Sequence, residues 1–277
     1  MKIALVQHRA GSDRAESLER ALAALREAAR RGAELAVFPE LAIDRFFPRR
    51  PGDASARDAA EPVPGPTTDR VAAAARELGL VTVFNLYERD AEGRFFDSSP
   101  VIDADGALLG VVRMVHITDY PGFHEQDYYH PGEEGWREGA PVFVTRACRL
   151  GVAICYDRHF PEQMRALGLA GAEVVAIPQA GTLGEWPEGM YEAEVRTAAF
   201  QNGYFAALAN RVGEEGELAF SGESFVSDPE GRILARGRAM EEDLVTAELD
   251  LAAVPASTAR RLFLKHRRPE LYRRWLG

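Results

Sequence analysis

RLGVAICYDRHFPE, residues 149–162, reads as a strand, a sharp turn and the start of a helix with no spacer between them. Leu150 to Ile154 is an apolar run rich in valine and isoleucine, which predicts a short buried strand. Cys155, Tyr156 and Asp157 follow at once, and Pro161-Glu162 opens a helical pattern. A cysteine carried by a strand into a turn before a helix presents its sulfur at a sheet's edge. A helix N-terminus there lowers a thiol's pKa and offers N–H groups to a developing oxyanion. The ordinary reading of a lone cysteine after an apolar run is a buried, inert side chain, so the surrounding chain has to decide between the two.

Downstream, a helix over residues 161–170 leads to a strand at 173–177, a helix at 190–202 and a strand at 204–209. Strands at 221–228 and 232–236 flank the turn Pro229-Glu230-Gly231, and a last strand at 244–249 precedes a basic, partly helical tail from about 255. Upstream lie a strand at 141–145 and an aperiodic loop at 118–140, too long to be idle. Before that loop, strands at 98–102 and 108–117 form a hairpin around Asp103-Ala104-Asp105-Gly106. The chain opens with a strand at 2–7, an amphipathic helix at 13–31 carrying Leu18, Leu22, Leu25 and Ala29 on one face, and a strand at 34–38. That βαβ pattern implies a parallel strand pair. A surface loop at 42–66, a helix at 67–78 and a strand at 80–86 complete the first half. With no repeat and no low-complexity linker, residues 1–277 form one domain, an α/β fold whose mixed units predict sheet-on-sheet layers covered by helices.

Composition narrows the function. Hydrophobic residues make up 46% and charged residues 27% of the chain, ordinary proportions for a globular protein with a sizeable core. A net charge of −10 argues against nucleic acid or an anionic membrane as a partner held by bulk electrostatics. No apolar run approaches the length of a membrane span or a signal h-region. Two cysteines, Cys148 and Cys155, are no disulfide framework, so a reduced, cytoplasmic protein is expected. Lysine occurs only at Lys2 and Lys265, and arginine supplies nearly all the positive charge.

Three positions fall where strands end, the place open α/β sheets put their chemistry. These are Glu40 in VFPEL (37–41), Cys155, and the segment from Arg113 to His116. A carboxylate beside a cysteine takes the thiol proton as sulfur attacks and returns it to the leaving amine. VFPEL and GVAICYDRHFPE (151–162), with YYHPGEEG (128–135), RTAAFQNGYF (196–205), ANRVGEE (209–215) and RRPELY (267–272), resemble the nitrilase superfamily of carbon–nitrogen hydrolases. The blocks stand in the family's order and cover nearly the whole chain. The resemblance implies a four-layer αββα sandwich, paired with a second copy into a homodimer or higher homo-oligomer, and a Glu–Lys–Cys triad with a second glutamate nearby. By match to the motifs, Glu40 is the general base, Cys155 the nucleophile and Glu125 the second glutamate, and the Tyr156 N–H is an oxyanion donor.

The sequence departs from the family at the lysine. Where the pattern is Arg-Lys-x-His, this chain reads Arg113-Met114-Val115-His116, with Met114 in the lysine's place. A fixed cation there is worth roughly 3–4 kcal/mol if it resembles one oxyanion donor. Three arrangements answer its loss. His116 substitutes, since strand alternation would set 114 and 116 on one face and 113 on the other; or Cys155, Glu40 and backbone donors sustain a modest activity; or the protein is a silent member that binds a ligand or assembles with a partner. A structural histidine is an equal reading of His116. Loop histidines His124 and His130 lack metal-site spacing, the 213–216 stretch Gly-Glu-Glu-Gly reads as a turn, and Trp186, Pro187 and Tyr191 stand where the family lines its pocket. Among branches of the family, ICYDRHFPE is most similar to N-carbamoyl amide hydrolases. The implied substrate is an N-carbamoyl compound, with a small linear amide next, and no metal or organic cofactor is implied.

Overall fold

The fold follows from alternation along a few short strands. The computed structural model describes residues 1–275. In Lys2–Gln7, Ile3 and Leu5 point to one side and Ala4 and Val6 to the other, and in Leu35–Val37 the outer pair parts from Ala36 in the same way. All are buried, as expected where both faces of a parallel sheet are covered. Ile3, Leu5, Leu35, Val37 and Val81 pack against Leu150, Val152, Val174, Ala176 and Phe205 of a second sheet. On the far side of the first sheet, Ala4, Val6 and Ala36 meet Leu18, Leu22 and Leu25 of helix Arg14–Arg30 and Val71 and Ala75 of helix Pro66–Leu78. On the far side of the second, Val175, Ile177, Ala206 and Leu208 meet Met164 and Leu167 of helix Pro161–Leu169 and Val195 and Ala199 of helix Met190–Asn202. The layers are helix, sheet, sheet, helix: the αββα sandwich.

The first sheet has seven strands in the order Asp243–Glu248, Lys2–Gln7, Leu35–Val37, Val81–Val83, Phe95–Ile102 and Leu86–Arg89, with Leu108–Arg113 also paired to Phe95–Ile102. The second has six, in the order Ile233–Arg236, Phe225–Ser227, Phe205–Asn210, Val174–Gln179, Arg149–Val152 and Val142–Val144. Each contains a parallel triplet at its centre. Glu40 and Cys155 lie just beyond the carboxyl ends of these two triplets, one from each sheet.

Several boundaries differ from expectation. The strand expected over 80–86 breaks into Val81–Val83 and Leu86–Arg89, with Asn85 in the gap making side-chain bonds to three partners. The second hairpin strand stops at Arg113 instead of reaching 117, because the Asp157 carboxylate captures the Val115 and His116 N–H groups. The stretch 213–216 is mostly strand, since Val212–Glu215 pairs with Leu218–Ser221 and the turn proper is Gly216-Glu217, with Gly216 at φ 69°. Loops 42–66 and 118–140 hold short 3₁₀ turns, and the latter also a small hairpin of Asp119–Tyr120 with Phe123–His124. The tail from 255 is helical in pieces up to Pro269–Trp275. No described helix is long and apolar enough to cross a membrane.

Candidate active site

Glu40 is set by a turn whose backbone is bonded on every side. Leu41 takes φ 46°, and its N–H donates to Asn85 Oδ1 at 2.6 Å. Arg211, directly after strand Phe205–Asn210, donates from Nη1 to the carbonyls of Glu40 and Leu41 at 3.0 and 2.6 Å, and from Nη2 to that of Asp44 at 2.9 Å. A buried turn would otherwise leave those carbonyls orphaned. The Glu40 side chain is itself fully buried, with no N–H or O–H aligned on either carboxylate oxygen. Its near neighbours are the Cys155 thiol and the Asp97 carboxyl.

Cys155 follows strand Arg149–Val152 and adopts φ 42°, an uncommon conformation for a residue with a Cβ and one that costs about 1–3 kcal/mol. It opens the 3₁₀ turn Cys155–His159. The first bond of that turn runs from the Asp157 N–H to the Ile154 carbonyl at 2.9 Å, so the Tyr156 N–H precedes the bonded ladder and has no place in it. Arg158 Nη1 donates to the Cys155 carbonyl at 2.8 Å and to Gln179 Oε1 at 2.9 Å, which fixes a buried guanidinium under the cysteine. Glu125, also fully buried, heads the 3₁₀ turn Glu125–Asp127, its carbonyl accepting from the N–H groups of Tyr128 and Tyr129. Met114 is fully buried as well, in the core between the sheets with Cys155 and Ile154.

Burial dominates the electrostatics. It pushes the Glu40 carboxyl up to about 8, with the Glu125 charge adding to the rise. Burial and then the Glu40 charge raise Asp97 well above the carboxylate range, and burial followed by Asp97 does the same to Glu125. The Cys155 thiol is also pushed well up, by burial first and by Glu40 second, with Arg158 opposing. The expectation that a helix N-terminus would lower this thiol is overturned: a short turn cannot offset full desolvation beside two carboxyls. A thiol so placed can attack only if its proton leaves as the bond forms, and Glu40 is the neighbouring carboxyl that could take it.

Strand alternation fails to place His116 for the same reason that its strand is short. With the strand ended at Arg113, alternation no longer sets its direction. Its Nδ1 pairs with Asp157 Oδ1 at 2.8 Å, and its ring stacks on Phe160 with centroids 3.4 Å apart. Together with the Val115 and His116 N–H groups on Asp157, it ties the end of the hairpin to the cysteine turn.

Sequence reasoning brought Glu40, Cys155, Glu125, Met114 and Tyr156 into consideration, and missed Asp97, Asn85, Arg158 and Arg211. Arg158 and Arg211 stand inside quoted motifs, and a buried arginine in an apolar context was their available signal. Asp97 falls outside the strand expected over 98–102, which in the structure begins three residues earlier, at Phe95. Around the site mouth, Tyr120 and Tyr191 donate their hydroxyls to Glu185, and Trp186 stands 5.9 Å from Tyr120 and 5.2 Å from His159 between ring centroids. His124 Nδ1 lies 3.5 Å from Asp119, and His130 Nδ1 meets the Phe95 backbone. Among the described residues no cluster of histidine, cysteine or acidic groups has the geometry to hold a metal ion.

The sequence pattern of the carbon-nitrogen hydrolase family matches residues 2–258. An N-carbamoylputrescine amidase from Solanum lycopersicum is 32% identical over 98% of this chain and 93% of its own length. Among solved structures, a carbon-nitrogen hydrolase from Helicobacter pylori G27 superposes with a TM-score of 0.91 at 28% identity, covering 100% of this chain and 98% of the other. A glutamate-to-glutamine variant of the amidase from Nesterenkonia sp. AN1 superposes with a TM-score of 0.80 at 28% identity over 99% of this chain and 96% of its own. In that structure the acetamide moiety of fluoroacetamide is attached to the active-site cysteine.

Proposed function

The chain belongs to the carbon-nitrogen hydrolase family, and from that premise we propose that it cleaves N-carbamoyl compounds or small linear amides through a thioester on Cys155. The observation that carries this reading is the strained Cys155 beside Glu40 at the meeting of the two parallel triplets. Sulfur attacks the substrate carbonyl while its proton passes to Glu40. Glu40 returns that proton to nitrogen, and ammonia or an amine leaves. Water, deprotonated by Glu40, then attacks the thioester and releases a carboxylic acid or carbamate with the thiol restored. The Tyr156 N–H faces the developing oxyanion, and Glu125 orients the substrate's nitrogen end. By the same resemblance, two copies of the chain pair in solution.

The test is ammonia release across a panel of N-carbamoyl amines, N-carbamoyl amino acids and aliphatic amides. Turnover by the wild type that disappears in Cys155→Ala and Glu40→Gln supports the reading. One observation favours a second reading, a silent binding or assembly protein: apolar Met114 stands where the family keeps its lysine. No turnover anywhere in the panel, together with turnover after Met114→Lys, would establish that reading instead.

A further inference from the structure

We propose that Asp97 is the positioning residue for Glu40, its Oδ2 holding a proton and donating it as a hydrogen bond to the Glu40 carboxylate. It thereby gives a buried base the support that no cation at position 114 provides. The inference rests on the reading of Glu40 as the base and adds a residue that this reading does not contain.

The sheet register places the two residues. Ser98 pairs with Arg113, and one step further the Met114 N–H donates to the Asp97 carbonyl at 2.9 Å, so Asp97 lies directly across from Met114. On its other side Asp97 pairs with Tyr87. Residues opposite one another in antiparallel strands share a face, which sets the Asp97 carboxyl beside the position where the family's lysine would stand. A single amide then locks it. Asn85 Nδ2 donates to Asp97 Oδ1 at 2.5 Å and to Ser99 Oγ at 3.0 Å, while Asn85 Oδ1 accepts from the Leu41 N–H at 2.6 Å. One side chain thus registers Asp97 against the backbone next to Glu40.

With Oδ1 taken by Asn85, Oδ2 is the oxygen left for Glu40, and it is buried with no other partner. Two carboxyls facing each other away from water cannot both ionise, so the pair holds at least one proton. The neighbours decide where it stays. Glu40 has the Cys155 thiol in range and the Arg211 guanidinium on its own carbonyl, against the Glu125 charge. Asp97 has the Asn85 amide on Oδ1, which favours its ionised form, but it faces the larger opposing charge of Glu40 and, beyond it, Asp157. Tyr129, buried and without a partner for its hydroxyl, faces the same carboxyls. The proton therefore belongs on Asp97, and Glu40 is the member of the pair that ionises.

The test reads Cys155 alkylation by iodoacetamide against pH, which needs no amide substrate. In the wild type the rate should rise through an inflection set by Glu40, and Glu40→Gln should abolish that inflection. Asp97→Ala removes the donor, and should move the inflection up by about one unit and slow alkylation at pH 7 by about tenfold. Asp97→Asn keeps a donor in the same place, its amide facing Glu40 while its oxygen accepts from Asn85, and should keep the inflection at or below the wild-type value. A purely structural role would shift both variants alike; that result, or no shift in either while Glu40→Gln still acts, overturns the inference and leaves the Glu40 reading standing. An inflection unchanged in Glu40→Gln would overturn the Glu40 reading and this inference with it. If Asp97→Ala does not fold, an upward shift in Asp97→Asn alone is enough to overturn it.

Discussion

A carboxyl held at about 8 is only about one-tenth ionised at pH 7, so Glu40, the proposed base, is in its basic form in a minority of molecules at neutrality. The activity of the free enzyme should therefore climb about tenfold per pH unit below 8 and level off above it. A profile of kcat/KM from pH 5 to 10 checks this, and a flat profile down to pH 6 would show that Glu40 does not set the limb. Met114→Lys introduces a cation opposite Asp97. It should draw the limb to lower pH and raise neutral turnover by roughly two orders of magnitude, the worth of one oxyanion donor. An unchanged or lower rate would mean that the site has been rebuilt around methionine. At this scale the sequence was partly legible. Cys155 and Glu40 announce themselves by following apolar strands, and Met114 by breaking a motif. Asp97 was hidden, because it precedes the expected strand and only the register shows what lies opposite it.

Two strand boundaries here are set by side chains distant in sequence. Asp157 accepts from the N–H groups of Val115 and His116 and from His116 Nδ1, and joins the hairpin to the Cys155 turn. Removing this fully buried acceptor leaves several donors unpaired at about 1–3 kcal/mol each. Asp157→Ala should accordingly lose about 2–4 kcal/mol in urea unfolding with an unchanged m-value. A loss below about 0.5 kcal/mol, the range of ordinary surface substitutions, would show that the join carries no weight. This also explains which boundaries could be read in advance. Helices Arg14–Arg30 and Pro161–Leu169 end on local signals: Asp13 accepts from the Glu16 N–H at the start of the first, and proline opens the second. The end of strand Leu108–Arg113 and the break at Asn85 depend on partners far along the chain, and no local pattern contains them.

At the scale of the whole molecule, mixed βα units and hairpins made sheet-on-sheet layers under helices legible, and the four-layer αββα order came from the resemblance of the family blocks. The ionic character of the interior between the sheets was not legible, since it arises only when Glu40, Asp97 and Glu125 meet. Their folded pKa values lie above the unfolded ones, so the native state binds more protons than the unfolded chain. Stability should then be greatest near and below pH 4.5, apart from other groups, and fall as pH rises toward 8. Glu40→Gln removes one such group, and should raise the melting temperature at pH 8 by a few degrees, about 2–4 °C per kcal/mol relieved, with the gain shrinking by pH 5. A melting temperature lowered at both pH values would mean that the Glu40 carboxyl supports the fold.

The account turns on whether Cys155 forms an acyl enzyme without a lysine beside it. Wild-type protein mixed with a small amide or N-carbamoyl substrate, quenched in acid within the first turnovers and mapped by peptide mass spectrometry, answers this directly. The expected result is the acyl mass increment on the peptide bearing Cys155, absent from Cys148 and from Cys155→Ala. An unmodified Cys155 under conditions where product still accumulates would contradict the thioester route.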